Sequence, residues 1–300
     1  MWTSPRPSAG DRRRKAIVCP TPLTAYNEVV RFLALIICLP ALLAAQDPRQ
    51  IIVRAVDVYG KGAEIARSYT YLQREVESDL DSAGKPKTTQ IHTWEVSMQE
   101  GSPYRRLVAR NDQPISTEEQ KQEADRLQWN IEQRRKETPQ QRELRISKWR
   151  GREQRRIEPV KELPDAFNFQ VLRSEALNGV ETWVIDATPK PGYQPKSTAA
   201  SFFPKVTLHL WIDKREYQCV KAEMETQGAV TFGGFLVRVA KGSHLSLEQT
   251  RVSDEVWMPA RFIMEASARL MLVKGYHKAL DMRFSDYKKS QTYSRVVAAR

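Results

Sequence analysis

The sequence predicts a mainly antiparallel α+β protein: a strongly curved, open β-barrel with an N-terminal helix and a charged helical insertion. Three observations lead to this fold class. A succession of strand-like segments separated by short polar turns fills residues 166–290. A helical repeat of apolar residues begins near residue 48, and a charge-rich stretch at about 115–165 interrupts the strand pattern.

Length and composition place the chain among globular proteins, with 300 residues, 41% hydrophobic and 28% charged. The formal net charge is +12. Residues 1–45 hold six basic and two acidic side chains, so they account for +4 and leave +8 for residues 46–300. Such a charge suits an anionic partner, and it equally suits plain solubility. Both interpretations stay open.

The first 45 residues have the layout of a secretory signal peptide behind an N-terminal extension. Arg31 is followed by a run of 14 apolar residues, fewer than the roughly 20 that a membrane-spanning helix needs. Small residues, Ala44 and Ala45, then precede a polar segment. We expect cleavage near Ala45 and a periplasmic or secreted single domain over 46–300. A lipid anchor at Cys38 and a buried core helix are the alternatives.

The exported part begins with a helix and a first group of strands. Pro48 suits a first helical turn, and apolar residues three and four apart from Ile51 to Ala66 predict a helix over 48–67. The period then changes to two, with Trp94 and its alternate neighbours on one face. Turn clusters at 81–86 and 101–103 divide residues 68–110 into three half-buried strands.

The charged stretch predicts an insertion on the β domain. Ser116 and Glu119 form a capping-box pattern. Residues 116–165 contain 13 basic and 11 acidic side chains and few apolar ones, so we expect one or two exposed helices. Pro139 and Gly151 mark the expected breaks. A solvated surface is the plain interpretation, and docking of a partner is the functional one.

The second group of strands carries the strongest turn signals. Asn178-Gly179 is typical of a two-residue hairpin turn. The proline-rich segment 189–204 is long enough to act as a flap. The predicted strands that follow cover 206–212, 217–226, 229–239, 245–252, 261–272 and 280–287.

No constellation of catalytic or metal-ligating residues stands out. The four histidines are not at metal-ligand spacing, and Cys219 is the only cysteine of 46–300, which excludes an internal disulfide. His209, in an apolar strand, fits a hydrogen-bonded structural role. We therefore expect a non-enzyme without catalytic residues, metal or cofactor, although a carboxylate pair of a hydrolase stays open. The arginines at 150–156 beside Trp149 favour an anionic lipid or acidic envelope protein over nucleic acid in an exported chain.

Two short motifs suggest a family. Leu-Trp-Ile-Asp-Lys at residues 210–214 runs into a second strand at 217–223, and Val-Trp-Met-Pro-Ala follows at 256–260. A last strand ends near Phe-Ser-Asp-Tyr at 284–287. Behind a signal peptide and an N-terminal helix, this order resembles the outer-membrane lipoprotein-sorting proteins, the LolA/LolB/LppX-like superfamily. Over about 48–290, the resemblance implies an unclosed β-barrel with a helical lid, an apolar cavity and a carrier role in outer-membrane biogenesis.

The inner face of an open barrel need not be filled by side chains. Burying an acyl chain there gains about 0.8 kcal/mol per CH₂ group, so we expect a bound lipid or lipoprotein acyl chain. The candidate lining residues are Tyr69, Tyr71, Trp94, Phe169, Trp183, Trp211, Met224, Phe232 and Phe235. The plain alternative is that these side chains fill a core. An interaction or sensor module that carries no ligand is the alternative function.

Overall fold

The computed structural model describes residues 47–232, 237–270 and 274–290; the side chains of Phe232, Leu270 and Lys274 are not part of that description. The signal peptide and its cleavage near Ala45 lie outside the described residues. They therefore stay predictions.

Helix α1 spans Pro48–Ala66 and confirms the predicted N-terminal helix. Asp47 caps it, because its carboxylate accepts a hydrogen bond from the backbone N–H of Arg49 at 3.0 Å. One stripe of the helix is buried, formed by Ile51, Ile52 and Ala55. This stripe is what ties α1 to the sheet.

Thirteen antiparallel strands form one sheet within the described residues. They are β1 (Tyr69–Leu80), β2 (Pro86–Gln99), β3 (Ser102–Arg110), β4 (Gln113–Pro114), β5 (Phe167–Leu177), β6 (Val180–Pro189), β7 (Val206–Asp213), β8 (Cys219–Thr226), β9 (Val230–Phe232), β10 (Val237–Val239), β11 (His244–Ser253), β12 (Val256–Leu270) and β13 (Lys274–Lys289). The predicted strand over 229–239 is thus divided into β9 and β10.

The spatial order is β4-β3-β2-β1-β13-β12-β11-β8-β7-β6-β5, with β10 paired to the end of β12 and β9 to β10. Because β1 pairs with β13, the two groups of strands lie side by side in one sheet. The short β4 and the longer β5 occupy its two ends and are not hydrogen-bonded to each other in the described part of the chain. The curved sheet is therefore open, as predicted.

The turn between β5 and β6 has the conformation that its two residues predict. Asn178 and Gly179 have φ values of 51° and 80°. A two-residue hairpin turn of this kind needs positive φ at both positions, which Asn and Gly tolerate best. The predicted hairpin is confirmed.

The charged insertion consists of helix α2 (Thr117–Arg135) and helix α3 (Pro139–Ala166), which join the two end strands β4 and β5. The capping box at Ser116 is present, and Thr138 forms a second one. The break near Pro139 is confirmed, but the break at Gly151 is wrong because α3 continues to Ala166. A single glycine costs a helix only about 1 kcal/mol, which the packing of Trp149 offsets.

The predicted exposure of the insertion helices does not hold for one side of α3. Ile146 and Trp149 are buried, and α3 contacts α1, β3 and β5. Ile146 packs against Gly101 in the β2–β3 turn. The guanidinium of Arg67, at the end of α1, lies 5.5 Å from the Trp149 ring. Two apolar side chains thus pack α3 against the β2–β3 turn and against the end of α1.

We call the face of the sheet that contacts α1 the inner face, and the opposite one the outer face. Ile51 and Ile52 of α1 pack there against Ile185, Leu210 and Ile212. This cluster fills the inner face over β6 and β7.

The proline-rich segment between β6 and β7 covers the adjoining end of the inner face. Its short 3₁₀ turns place Ala200 and Phe203 against Phe167, Ala187 and Val206. The loop is therefore folded onto the sheet in this structure.

Candidate functional site

Two rows of apolar side chains cross the inner face from β8 to β13. Directly opposite partners on adjacent strands place their side chains on the same face. The partners in the first row are Ala222, Leu247, Phe262 and Met282; those in the second are Met224, Leu245, Met264 and Leu280. Ala222 and Met224 also pack beside the α1 and loop clusters, which fixes both rows on the inner face. We call these eight residues the apolar rows.

The side chains of the apolar rows are partly shielded from solvent but are not fully buried. All eight residues are half-buried, and none reaches the burial of the neighbouring core residues such as Ile185 or Phe167, which have 0% exposure. The helix and the loop cover β5–β8, and the end of the helix packs against Val256 and Met258 at the start of β12. A continuous, partly accessible apolar surface on a curved sheet is typical of a site for an apolar ligand.

The rows end at a polar border on β1 and its neighbours. The side-chain amide of Gln73 donates to Sδ of Met282 at 3.1 Å. Glu75, the β1 partner of Met282, pairs with Arg105 of β3 at 2.7 Å. Tyr71 stacks edge-on against Phe284, with ring centroids 5.9 Å apart. The inner face is therefore amphipathic: apolar along the rows and polar at β1–β3.

A buried hydrogen-bond donor lies in this border. The Trp94 ring is covered by the guanidinium of Arg105, 4.6 Å from its centroid. The indole N–H of Trp94 is buried and finds no acceptor among the described residues. Most buried donors in proteins are hydrogen-bonded, and an unsatisfied one costs about 1–3 kcal/mol. It is a group that a ligand oxygen could satisfy.

Helix α3 passes close to the same border. Its Glu153 and Arg156 form an ion pair at 3.4 Å. Burial raises the pKa of both Tyr59 on α1 and Tyr71 on β1, while the charge of Arg156 acts on both in the opposite direction. These charges act on both tyrosines only because α3, α1 and β1 approach one another here.

Cys219 lies at the start of β8, opposite Ile212 and beside the α1 cluster. Burial raises the pKa of its thiol to about 12, and the thiol donates a hydrogen bond to the carbonyl oxygen of Lys221. A thiol with such a pKa is almost entirely protonated at neutral pH, and the thiolate is the reactive form. We therefore expect the thiol of Cys219 to be unreactive at neutral pH.

Several predicted lining residues lie on the inner face but in filled parts of it. Tyr69 belongs to a small core with Val256 and Met258. Phe169 and Trp183 pack against the α1 cluster. These three side chains therefore fill the core in this structure, which was the alternative to lining a cavity.

Apart from Trp211, the remaining predicted residues form three groups. Tyr71 and Trp94 belong to the polar border, and Met224 belongs to the apolar rows. The side chain of Phe232 and all of Phe235 lie outside the described residues. They stay predictions.

Trp211 requires a correction, because it lies on the outer face between the inward-facing Leu210 and Ile212. Its indole N–H donates to Oε1 of Glu175 at 2.6 Å. Lys221 covers the ring, with Nζ 4.7 Å from the centroid. Next to it, the imidazole of His209 hydrogen-bonds Asp186. Alternation along β7 excludes Trp211 from any inner-face cavity.

Sequence reasoning missed most of the apolar rows. The residues overlooked are Ala222, Leu245, Leu247, Phe262, Met264, Leu280 and Met282. The selection favoured aromatic side chains, whereas the rows are mostly aliphatic. Period-two alternation of leucine, methionine and phenylalanine in the last three long strands was the signal that could have identified them.

Of the helices in the described segments, none has both the length and the apolar character to span a membrane. The same segments contain no group of three or more histidine, cysteine or carboxylate side chains arranged for a metal ion.

No family model and no curated protein matches the chain. Among solved structures, it is similar to a LolA superfamily protein from Nitrosomonas europaea, at 13% identity and TM-score 0.32, covering 83% of this chain and 100% of that one. A lipoprotein-sorting protein domain from Vibrio parahaemolyticus matches at 11%, TM-score 0.31, with 80% and 94% covered. The lipoprotein LppX of Mycobacterium tuberculosis matches at 9%, TM-score 0.28, with 80% and 93% covered.

By name, these structures include a LolA superfamily protein and LppX, the group that the sequence motifs resemble. At such identities the likeness concerns the fold alone. What the site can do follows from its own residues.

Proposed function

We propose that this chain is an exported envelope protein that binds a lipid or lipoprotein acyl chain on the apolar rows and carries it through an aqueous compartment. The observation that supports this most is the eight half-buried apolar side chains that cross four strands of the inner face. Each CH₂ group moved from water onto such a surface gains about 0.8 kcal/mol. The proposed activity is binding, without catalysis and without a cofactor.

The polar border would receive the other end of the ligand. An acyl chain along the rows would bring its ester or amide oxygens to β1–β3. Arg105 and the unsatisfied indole N–H of Trp94 are the donors there. Arg156 on α3 adds positive charge beside Tyr71. An amphiphile with an apolar chain and an oxygen-rich head matches this division of the face.

Admission of the ligand would depend on α3, which joins the two ends of the open sheet. Its middle is held by Ile146 and Trp149, and its end by Asp165, which pairs with Arg49 of α1 at 3.0 Å. Glu162, Pro164 and Ala166 of the same helix are also buried, and Arg145 donates to the hydroxyl of Ser102 at 2.7 Å. Entry of a ligand past α3 would therefore require some of these contacts to open.

Native mass spectrometry with lipid extraction tests the proposal on protein that was exported and purified from the periplasm. We expect a discrete co-purifying mass of lipid size. Met264→Gln should reduce its occupancy strongly, while Ile263→Gln, the neighbouring position on the outer face, should not. A ligand-free mass that stays unchanged when lipids or lipopeptides are added would contradict the proposal.

A second candidate function is docking through the insertion. Lys148, Arg150, Arg152 and Arg155 of α3 are exposed and have no ion-pair partner within the described segments. Large apolar side chains are exposed nearby in the insertion: Trp129 at 60% and Leu144 at 55%. Basic and apolar groups together suit an anionic envelope surface or an acidic envelope protein.

Charge reversal separates the two functions. If docking is the function, the double change Arg150→Glu and Arg152→Glu should abolish capture of an envelope partner and leave lipid occupancy unchanged. The folded β domain is verified by its circular dichroism. Unchanged capture would contradict the docking candidate.

A further inference from the structure

Two arginines face each other across strands on the outer face. Arg238 of β10 and Arg269 of β12 are directly opposite partners. Arg269 alternates with Ala268 and lies on the same face as Ile263 and Ser267, away from Met264. The pair is therefore separate from the apolar rows.

This arrangement is electrostatically unfavourable as it stands. Like charges directly opposite on neighbouring strands destabilise a sheet. Among the described residues, neither guanidinium has an ion-pair partner, and Lys241, just after β10, has none either. Asp81, which lines the same cleft, accepts backbone hydrogen bonds from its own turn, and Glu265 lies 3.3 Å from His277. No ion pair within the described residues therefore neutralises the two arginines.

The pair lines a cleft of about 780 Å³. The β1–β2 turn contributes Asp81 and Ser82 to its wall, and β12 contributes Ser267. Gly275 is the partner of Arg269 on β13 and carries no side chain, which leaves room beside the guanidinium. Thr231, on the other side of Arg238, continues the same row. Cations and hydroxyl groups thus border an open space, with the carboxylate of Asp81 and small apolar residues completing its wall.

We propose that Arg238 and Arg269, with Lys241, bind a phosphate group in this cleft. Two adjacent guanidinium groups offer paired N–H donors whose geometry matches the oxygens of a phosphate. A bound dianion or diester would also remove the repulsion between the two arginines. The phosphate could belong to a phospholipid headgroup or to a soluble phosphate ester, and both share this chemistry.

The test uses the exported chain and three variants: Arg238→Gln, Arg269→Gln and, as a matched charge control on α2, Lys121→Gln. One arm titrates inorganic phosphate by calorimetry. The other measures sedimentation with phosphatidylglycerol vesicles and with phosphatidylcholine vesicles. Thermal unfolding without phosphate is recorded for every protein.

We expect Arg238→Gln and Arg269→Gln each to weaken binding at least tenfold and to raise the unfolding temperature in the absence of phosphate, while Lys121→Gln changes neither. Loss in the phosphate arm identifies a soluble ester as ligand, and loss in the vesicle arm alone identifies a headgroup. Equal weakening by Lys121→Gln, or no effect of the arginine changes in either arm, would overturn the proposal. Because the site is on the outer face, acyl-chain occupancy should be unaffected in all variants.

Discussion

Phe262 of β12 and Met282 of β13 are directly opposite partners on the inner face, and both remain half-buried. Phe167, at 0% exposure, shows what a filled part of the same face looks like. Replacing a fully buried phenylalanine by alanine costs about 3–5 kcal/mol. We expect that cost for Phe167→Ala and only about 1–2 kcal/mol for Phe262→Ala, measured by urea unfolding. Equal costs would mean that the apolar rows are an ordinary core.

Substitution of Gly101 tests the contact between α3 and the β2–β3 turn. Gly101 has φ +88°, and an added Cβ would meet Cδ1 of Ile146 at 2.8 Å. Gly84, at φ +80°, has open space around it and provides the control for the backbone cost alone. We expect Gly84→Ala to cost about 1 kcal/mol and Gly101→Ala to cost more and to loosen α3, read as faster amide exchange over its middle. Equal effects of the two changes would contradict this packing.

The thiol of Cys219 predicts an alkaline loss of stability. Its pKa is raised by burial to about 12, against an ordinary value of about 8.5 in the unfolded chain. The native state therefore holds this proton more tightly than the unfolded chain does. The protonated thiol contributes fully to the free energy of unfolding below about pH 8.5, and this contribution is lost as the pH rises toward 12. Relative to Cys219→Ala, the wild-type chain should lose unfolding free energy over that window. A constant difference between the two proteins would contradict it.

Glu162 predicts an acid effect on the proline-rich loop. Burial alone would raise the pKa of this carboxylate, but hydrogen bonds from Ser197, Tyr193 and the backbone of Lys196 outweigh burial and lower it. The ionised carboxylate of Glu162 therefore stabilises the fold at pH values above the ordinary pKa of a glutamate. This stabilisation is lost as the pH falls through the lowered pKa.

We therefore expect Glu162→Gln to lower the free energy of unfolding at pH 7 by about 1–3 kcal/mol. At pH 3 the same substitution should change the free energy of unfolding very little. The exposed Glu158→Gln on the same helix provides the control. An equal loss at both pH values would contradict a role for the charge.

Local signals in the sequence predicted much of the fold. The hairpin at Asn178-Gly179 and the capping box at Ser116 depend on residues close together in the chain, so they could be identified without any partner. The continuation of α3 through Gly151 could not, because the packing of Trp149 that offsets the glycine comes from distant elements. Long-range contacts decide such cases.

The candidate site was predictable only in outline. Alternation shows that Leu210 and Trp211 face opposite sides of a strand, yet which of the two is covered by α1 depends on tertiary packing. The half-burial of the apolar rows depends on where α1 and the loop settle on the sheet. Alternation therefore could identify residues that share a face, but not whether that face is filled.

Uptake of a fluorescent acyl chain by the purified chain is the most direct test of the central claim, with Met264→Gln and Ile263→Gln compared side by side. The two residues are adjacent on β12, both are half-buried, and they face opposite sides of the sheet. The apolar rows predict saturable uptake that Met264→Gln weakens at least tenfold and Ile263→Gln leaves within twofold of the unsubstituted chain. Uptake that is absent, or that both changes reduce equally, would contradict an acyl-chain site on the inner face.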